Sequence, residues 1–309
     1  MTDARRNPYL LDTPAVVSFS GGRTSGYMLY HILEAFGGTL PADVKVVFCN
    51  TGKERPETLD FVERCSQRWG VPVVWLEYRR NGSLPVQKKG RNGQPSIGRH
   101  DFAVVDYQTA SRDGEPFDAL LLTLAEFRRE VKDADPLLPN PVQRSCTGEM
   151  KVRTLGRYLT ALGWDLGGVT DAIGLRADEP RRLAKLAART AGKVGVLECG
   201  NPVTPLGKDG VTEADVMRFW SEQPFDLELM QHEGNCDLCF LKSERKLLDI
   251  LARRPDLGRW WADREAQTGQ RFRKDRNPYS VLIAESKLAD LFTMAEDPDD
   301  LSISCHCTD

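Results

Sequence analysis

Residues 15–32 constrain the fold of this chain most. A short apolar, β-prone stretch, Ala15-Val16-Val17-Ser18-Phe19, breaks at Ser20-Gly21-Gly22 and restarts as a helical pattern carried by Met28, Leu29 and Ile32. Strand, glycine turn and helix together leave open backbone N–H groups at a helix N-terminus. The helix dipole adds to them, and the result is an anion site. Gly21 and Gly22 let the backbone come close to a phosphate, while Ser20, Thr24 and Ser25 can add hydroxyl donors. A tight turn without a ligand is the plainer alternative. The loop matches neither G-x-x-x-x-G-K-[ST] nor G-x-G-x-x-G.

The pattern then repeats, giving two β-α-β units in the first eighty residues. Val44 to Cys49 is a second apolar strand, Asn50-Thr51-Gly52-Lys53-Glu54 its loop, and Arg55-Pro56-Glu57-Thr58 opens a helix bearing Leu59, Val62 and Trp69. Proline suits a first helical turn. Gly70-Val71-Pro72 stops that helix, and Val73 to Leu76 is a third strand. Successive β-α-β units predict a doubly wound, mostly parallel α/β sheet with right-handed crossovers. Ligands of such sheets bind beyond the carboxyl ends of the strands, where Ser20 and Thr51 both fall.

Residues 79–145 are rich in glycine, proline and charge, with one clear helix between Leu120 and Val131, and are expected to form an inserted lid. Helical periodicity returns from Met150 to Leu162. A fourth strand is expected from Asp171 to Leu175 and a short β-like stretch from Val194 to Cys199. Thr212, with Asp215 three residues on, is set to cap a helix. The remainder is mainly helical and ends in a polar tail. This divides the chain into a nucleotide-binding α/β domain, 1–215, and a helical C-terminal region, 216–309, holding a C-x-x-C and a cysteine-bearing tail.

With 309 residues, 40% hydrophobic and 28% charged, the chain has the composition of a globular protein with a sizeable core. A net charge of -3 argues against an overall nucleic-acid footprint. Local basic clusters at Lys88, Lys89, Arg91 and Arg99, and at Arg271, Arg273, Lys274 and Arg276, leave a nucleic-acid partner open. No stretch is apolar enough to span a membrane, and the N-terminus lacks the apolar core of a signal peptide. The expected location is the cytoplasm. Eight cysteines in a reducing compartment point to reactive thiols or a metal site. Cys49, Cys65 and Cys199 sit in apolar segments and are expected in the core.

Four blocks, in order, carry a family resemblance. Ser20-Gly21-Gly22-Arg23-Thr24-Ser25 resembles the S-G-G-x-x-S pyrophosphate loop of the adenine nucleotide alpha-hydrolase superfamily. Asn50-Thr51-Gly52 through Pro56-Glu57-Thr58 is similar to the N-T-G-x-x-x-P-E-T segment of phosphoadenylyl-sulfate (PAPS) reductases. Gly174-Leu175-Arg176-Ala177-Asp178-Glu179 with Arg181-Arg182 resembles their G-I-R-x-x-E-S…R block. Pro205-Leu206 with Thr212-Glu213-Ala214-Asp215-Val216 and Phe219-Trp220 resembles P-L…W-T-x-x-D-V-W-x-Y.

The resemblance implies an adenine nucleotide ligand (PAPS, APS or ATP). Ser20, Gly21, Gly22, Arg23, Thr24 and Ser25 would lie at its phosphates, and Thr51 and Gly52 beside the ribose or α-phosphate. Arg176 would neutralise phosphate or sulfate charge, a task that suits a guanidinium fork. A salt bridge from Arg176 to Asp178 or Glu179 is the structural alternative.

In APS reductases an upstream Cys-Cys pair and a downstream C-x-x-C hold a [4Fe-4S] cluster. Here Cys236-Asp237-Leu238-Cys239 supplies the C-x-x-C and Ser145-Cys146-Thr147 stands in place of the pair. Cys146, Cys236 and Cys239 would be ligands, with Cys305 or Cys307 as the fourth, and zinc is the alternative metal. The tail Ser304-Cys305-His306-Cys307 stands where PAPS reductases carry E-C-G-L-H and shares only the cysteine.

Two enzyme readings follow from the resemblance. In a sulfonucleotide reductase, Cys305 or Cys307 attacks an adenylyl sulfate and a thioredoxin-like reductant completes the cycle. In an ATP-dependent sulfurtransferase, a nucleic-acid base or other acceptor is adenylated and then takes sulfur from a donor. A non-catalytic nucleotide sensor is the third option.

Overall fold

The computed structural model describes residues 7–81, 87–89, 95–97, 100–191 and 199–289. Its chain runs β1 (Ala15–Ser18), α1 (Arg23–Ala35), β2 (Val44–Asn50), α2 (Pro56–Trp69) and β3 (Val73–Arg80), as the sequence predicts. Two three-residue strands, β4 (Gln87–Lys89) and β5 (Pro95–Ile97), form a separate hairpin. β6 (His100–Val105) then returns antiparallel to β3. After α3 (Glu115–Lys132) comes a composite helix: α4 (Ser145–Thr147), a π-turn (Gly148–Arg153) and α5 (Thr154–Ala161). β7 (Thr170–Ile173), α6 (Pro180–Thr190), β8 (Asn201–Val203), α7 (Pro205–Asp209) and α8 (Glu213–Glu222) follow. The rest is helical: α9 (Glu244–Arg253), α10 (Gly258–Thr268) and α11 (Tyr279–Ala289).

The main sheet has the order β6-β3-β2-β1-β7-β8, with every pairing parallel except β3–β6. Strand side chains alternate between faces, so each strand contributes to two cores. Val17, Phe19, Val46 and Phe48 pack with Met28, Leu29 and Ile32 of α1 and with Leu59, Phe61 and Val62 of α2. Val16, Val47 and Leu76 face Leu155, Tyr158 and Leu159 of α5. Burial on both faces explains why the central strands are predominantly apolar.

A third core joins α3 to the C-terminal helices through Phe117, Leu120, Phe240, Trp261, Phe272 and Tyr279. Trp220 of α8 packs in the first core and donates its indole N–H to the Arg23 carbonyl at 2.8 Å, fastening α8 to the start of α1. The helix that holds it opens on the expected cap: Thr212 accepts from the Asp215 amide, and Asp215 reaches back to the Thr212 N–H.

One expectation needs amendment, and two others fall wholly or partly outside the described residues. Residues 100–105 belong to the main sheet, so part of the expected lid is structural. Short strand β8 lies at 201–203, and the expected β-stretch at 194–198 falls outside the described residues. The tail with Cys305 and Cys307, and Arg91 and Arg99 of the first basic cluster, also lie outside them. Among the described residues no helix is long and apolar enough to cross a membrane.

One buried group makes stability pH-dependent. Asp171 of β7 is only 3% exposed and accepts hydrogen bonds from Ser18 Oγ at 2.7 Å and Cys199 Sγ at 3.5 Å. Burial outweighs those bonds and pushes its carboxyl up to about 6 from 3.8. The folded state therefore holds a proton that the unfolded chain has released between those two values. Stability falls as pH rises through this window, by on the order of 3 kcal/mol in total. Asp171→Asn should raise the unfolding free energy at pH 8 by about 1–3 kcal/mol and have little effect at pH 4. Urea unfolding at the two pH values tests this, and an equal effect at both would refute it.

Candidate functional site

The loop after β1 is built around one hydroxyl. Ser25 Oγ accepts from the backbone N–H of Ser20 at 3.2 Å and of Gly22 at 3.3 Å, and donates to the Gly22 carbonyl at 3.0 Å. It also lies 3.0 Å from Ser20 Oγ. Gly21 has φ +74°, and a Cβ there would stand 2.7 Å from Thr58 Cγ2 and 3.2 Å from the Phe48 ring. Only glycine takes this conformation and fits that space. The loop is thus pressed against β2 and α2, with the first turn of α1 directly after it.

The other two loop side chains are engaged within the protein. Arg23 makes a two-pronged ion pair with Asp226 at 2.7 and 2.6 Å, so its guanidinium is turned to the C-terminal region. Thr24 Oγ1 accepts from Arg176 Nη1 at 3.2 Å. Arg176 also donates to Asp178 at 2.9 Å and to Glu213 at 3.2 Å. The salt-bridge alternative is therefore realised, yet the same side chain reaches the start of α1 through Thr24. Its charge is matched by carboxylates in this state.

The loop after β2 lies at the same end of the sheet. Thr51 donates its backbone N–H and its Oγ1 to Glu54 Oε2, at 2.8 and 2.7 Å. Gly52 has φ +75°, and a Cβ would collide with Pro116 Cδ at 2.9 Å. Glu54 is buried; among the described residues its Oε1 makes no hydrogen bond, and Lys151 Nζ lies 3.6 Å from it.

From this loop the chain meets the C-x-x-C. Glu54 and Cys236 form an antiparallel β-bridge, and Thr51 Oγ1 lies 3.5 Å from Cys236 Sγ. Asp237 donates its backbone N–H to the Lys53 carbonyl at 2.7 Å. Its carboxylate pairs with Lys53 Nζ at 3.1 Å and accepts from Trp261 Nε1 at 2.8 Å. Burial pushes the Asp237 carboxyl up, and Lys53 opposes that shift.

Cys146, Cys236 and Cys239, distant in sequence, line one narrow cavity together with Thr51, Lys151 and Trp261. Phe117, Phe240, Leu241 and Trp261 form the apolar part of its lining, while Arg144 and Lys151 bring basic residues to it. Among the described residues no three His, Cys, Asp or Glu side chains stand in an arrangement ready to hold a metal ion. The donor set is nevertheless the soft sulfur type that suits iron–sulfur clusters or zinc. Cys305, the expected fourth ligand, lies outside the described residues.

The other described cysteines, Cys49, Cys65 and Cys199, pack with the core. Burial pushes the Cys49 thiol up to about 12, and raises Cys65 and Cys199 as well. Such thiols stay protonated and unreactive at neutral pH.

Sequence reasoning missed Lys53, Glu54, Asp237 and Lys151 as parts of this site. The first three flank residues that were singled out, so adjacency was an available signal. Lys151 had none. On an α-helix a residue five after Cys146 sits about 140° away around the axis, but the π-turn at Gly148–Arg153 brings both to the cavity. Single π-turns occur frequently at functional sites.

A mostly parallel α/β sheet with a serine–glycine loop between its first strand and first helix is the arrangement that the sequence resemblance leads one to expect. The model of the phosphoadenosine phosphosulfate reductase domain matches residues 14–96, which contain both loops. A relative from Escherichia phage lambda, "Uncharacterized nin region protein ORF290", is 31% identical over 233 residues, 75% of this chain and 67% of the relative. The chain belongs to the phosphoadenosine phosphosulfate reductase family. Among solved structures, it aligns with the "U34-tRNA thiolase NcsA from Methanococcus maripaludis with its [4Fe-4S] cluster" at 13% identity and TM-score 0.40. That alignment covers 94% of this chain and 77% of the other.

Proposed function

We propose that this protein is an enzyme that binds an adenine nucleotide at the Ser20–Ser25 and Thr51–Gly52 loops and uses thiols beside it for sulfur chemistry. The observation that carries this reading is the convergence of Cys146, Cys236 and Cys239 on one cavity bordered by Thr51. A purely structural role for these thiols gives no reason for three of them to line one cavity with a lysine. Ser20, Gly21, Gly22 and Ser25 would cradle phosphates, with Thr24 and Arg176 at their edge and Arg23 anchoring the loop. The unsatisfied, buried Glu54 Oε1 is an acceptor that a ribose hydroxyl would satisfy.

Cys146, Cys236 and Cys239 would hold an iron–sulfur cluster, or zinc, with one tail cysteine, Cys305 or Cys307, as the fourth ligand and the other left as a free thiol. An iron–sulfur cluster held there would supply electron or sulfur-carrying chemistry. In the sulfonucleotide reading, a tail thiolate, Cys305 or Cys307, attacks the sulfur of an adenylyl sulfate. An S–S bond forms, the S–O bond to the nucleotide breaks, and the nucleotide leaves with the electron pair. A thioredoxin-like dithiol then displaces sulfite and is oxidised to a disulfide. Lys151, at the cavity wall, would offset the negative charge that gathers during this step.

Ser145 in place of a second adjacent cysteine favours one other reading. If Cys146, Cys236 and Cys239 were the whole ligand set, a cluster held there would lack a fourth protein thiolate, which would suit ATP-dependent transfer of sulfur to a nucleic-acid base or other acceptor.

Anaerobically purified protein with a dithiol should release sulfite from APS or PAPS. Sulfite release supports the reductase. Pyrophosphate release from ATP, stimulated by tRNA or DNA, with no sulfite, supports sulfur transfer instead. Nucleotide binding with neither product would refute both enzyme readings.

A further inference from the structure

Two loops that sequence reading treats separately are joined here by an ion pair. Lys53 is 8% exposed and Asp237 3%, and their charged groups meet at 3.1 Å. Lys53 belongs to the loop after β2, one residue from Gly52. Asp237 sits inside the C-x-x-C, next to Cys236.

The surroundings hold both ends. The Lys53 ammonium lies over the Trp260 ring, 5.1 Å from its centre. Asp237 Oδ1 accepts from Trp261 Nε1 at 2.8 Å and from the Leu238 amide at 2.6 Å. Two main-chain contacts run alongside, the Asp237 N–H to the Lys53 carbonyl and the Glu54–Cys236 bridge. Main-chain contacts alone would align the segments. A buried charge pair adds a penalty for separating them, because each charge would then stand unpaired away from water. Buried ion pairs of this kind are best attested as devices that fix register.

We propose that the Lys53–Asp237 ion pair is a positioning device that locks the nucleotide-side loop, residues 51–54, to the C-x-x-C turn, so that nucleotide occupancy changes the reactivity of Cys236 and Cys239. The inference rests on the nucleotide reading above and adds the path by which the two halves of the site communicate. A ligand held at Thr51 and Gly52 fixes residues 51–54, and the ion pair passes that order to the cysteine turn. Lys53 and Asp237 are positioning residues, since neither needs to touch the nucleotide.

The test uses the full chain, ATP and APS as probes, and iodoacetamide labelling of Cys236 and Cys239 read by peptide mass. In the native protein, saturating nucleotide should change the labelling rate at Cys236 by at least about tenfold, a coupling of about 1.4 kcal/mol. The double variant Lys53→Met/Asp237→Asn removes both charges and leaves no unpaired one. It should bind nucleotide with a Kd within about threefold of native and lose the labelling response. Lys53→Arg, which keeps the pair, should retain it.

A response that survives in the double variant overturns the proposal. So does a native protein that binds nucleotide without any change in labelling. Absence of ATP and APS binding in the native protein would instead sink the nucleotide reading on which the proposal rests, and the proposal with it.

Discussion

Asp237→Asn alone is expected to lower the unfolding free energy by about 3–5 kcal/mol, among the largest single losses available to this chain. Asparagine is nearly isosteric and keeps an acceptor oxygen for Trp261 and the Leu238 amide, so packing is preserved. What is lost is the negative charge that Lys53 faces at 3.1 Å. The lysine is then a buried cation with only the Trp260 ring beside it. Combining Lys53→Met with Asp237→Asn should recover most of the loss, because the replaced pair no longer contains a desolvated charge. The prediction is therefore strong non-additivity in urea unfolding. If the double variant is as unstable as the two single losses added together, the ion pair is not the reason the turn is stable.

The second large effect concerns activity. Cys236→Ser combined with Cys239→Ser should reduce turnover of the productive nucleotide by on the order of 10³-fold or more, which corresponds to about 4 kcal/mol of transition-state stabilisation. The serines replace soft thiolate donors with hydroxyls that bind iron and zinc poorly, so bound metal should fall with activity. Nucleotide affinity should stay within about threefold of native, since the proposed phosphate contacts come from Ser20–Ser25, which do not line the cysteine cavity. Metal content, product release and calorimetric binding measured on one preparation separate these effects. Retained turnover in the double serine variant would rule out a role for the pair in the chemistry.

What the sequence made legible is local in origin. Val16-Val17 and Val46-Val47 lie in central parallel strands buried on both faces, and a continuous apolar run states that plainly. Pro56 at the start of α2 and the Thr212–Asp215 cap are contacts between near neighbours, so short patterns reveal them. The edges of the sheet were harder. β6 carries His100 and Asp101 and is only partly covered, so it lacks the apolar run that marked the centre. β8 is three residues long, too short for any period to show.

The site divides in the same way. The serine–glycine loop, Ser20–Ser25, is contiguous in sequence and its turn could be recognised. The pairing of Lys53 with Asp237 joins segments that are remote along the chain. The arrival of Lys151 beside Cys146 depends on one π-turn, which shifts the phase of the helix without any marker residue. Arg176 shows a different limit. Its position just after β7 was legible, but its contact with Glu213, remote in sequence, is set by the fold.

The strand order also has a temporal consequence. β1 is made first, yet it lies between β2 and β7, and its partner Ile173 follows Ser18 only after most of the α/β region has been made. Ribosomal synthesis proceeds at roughly 5–20 residues per second. One side of the phosphate-loop strand therefore stands unpaired for on the order of ten seconds or more while the intervening chain emerges. An apolar strand with an open edge invites pairing with other chains. For a protein built this way, yield in the cell will depend on how quickly translation delivers residues 170–173.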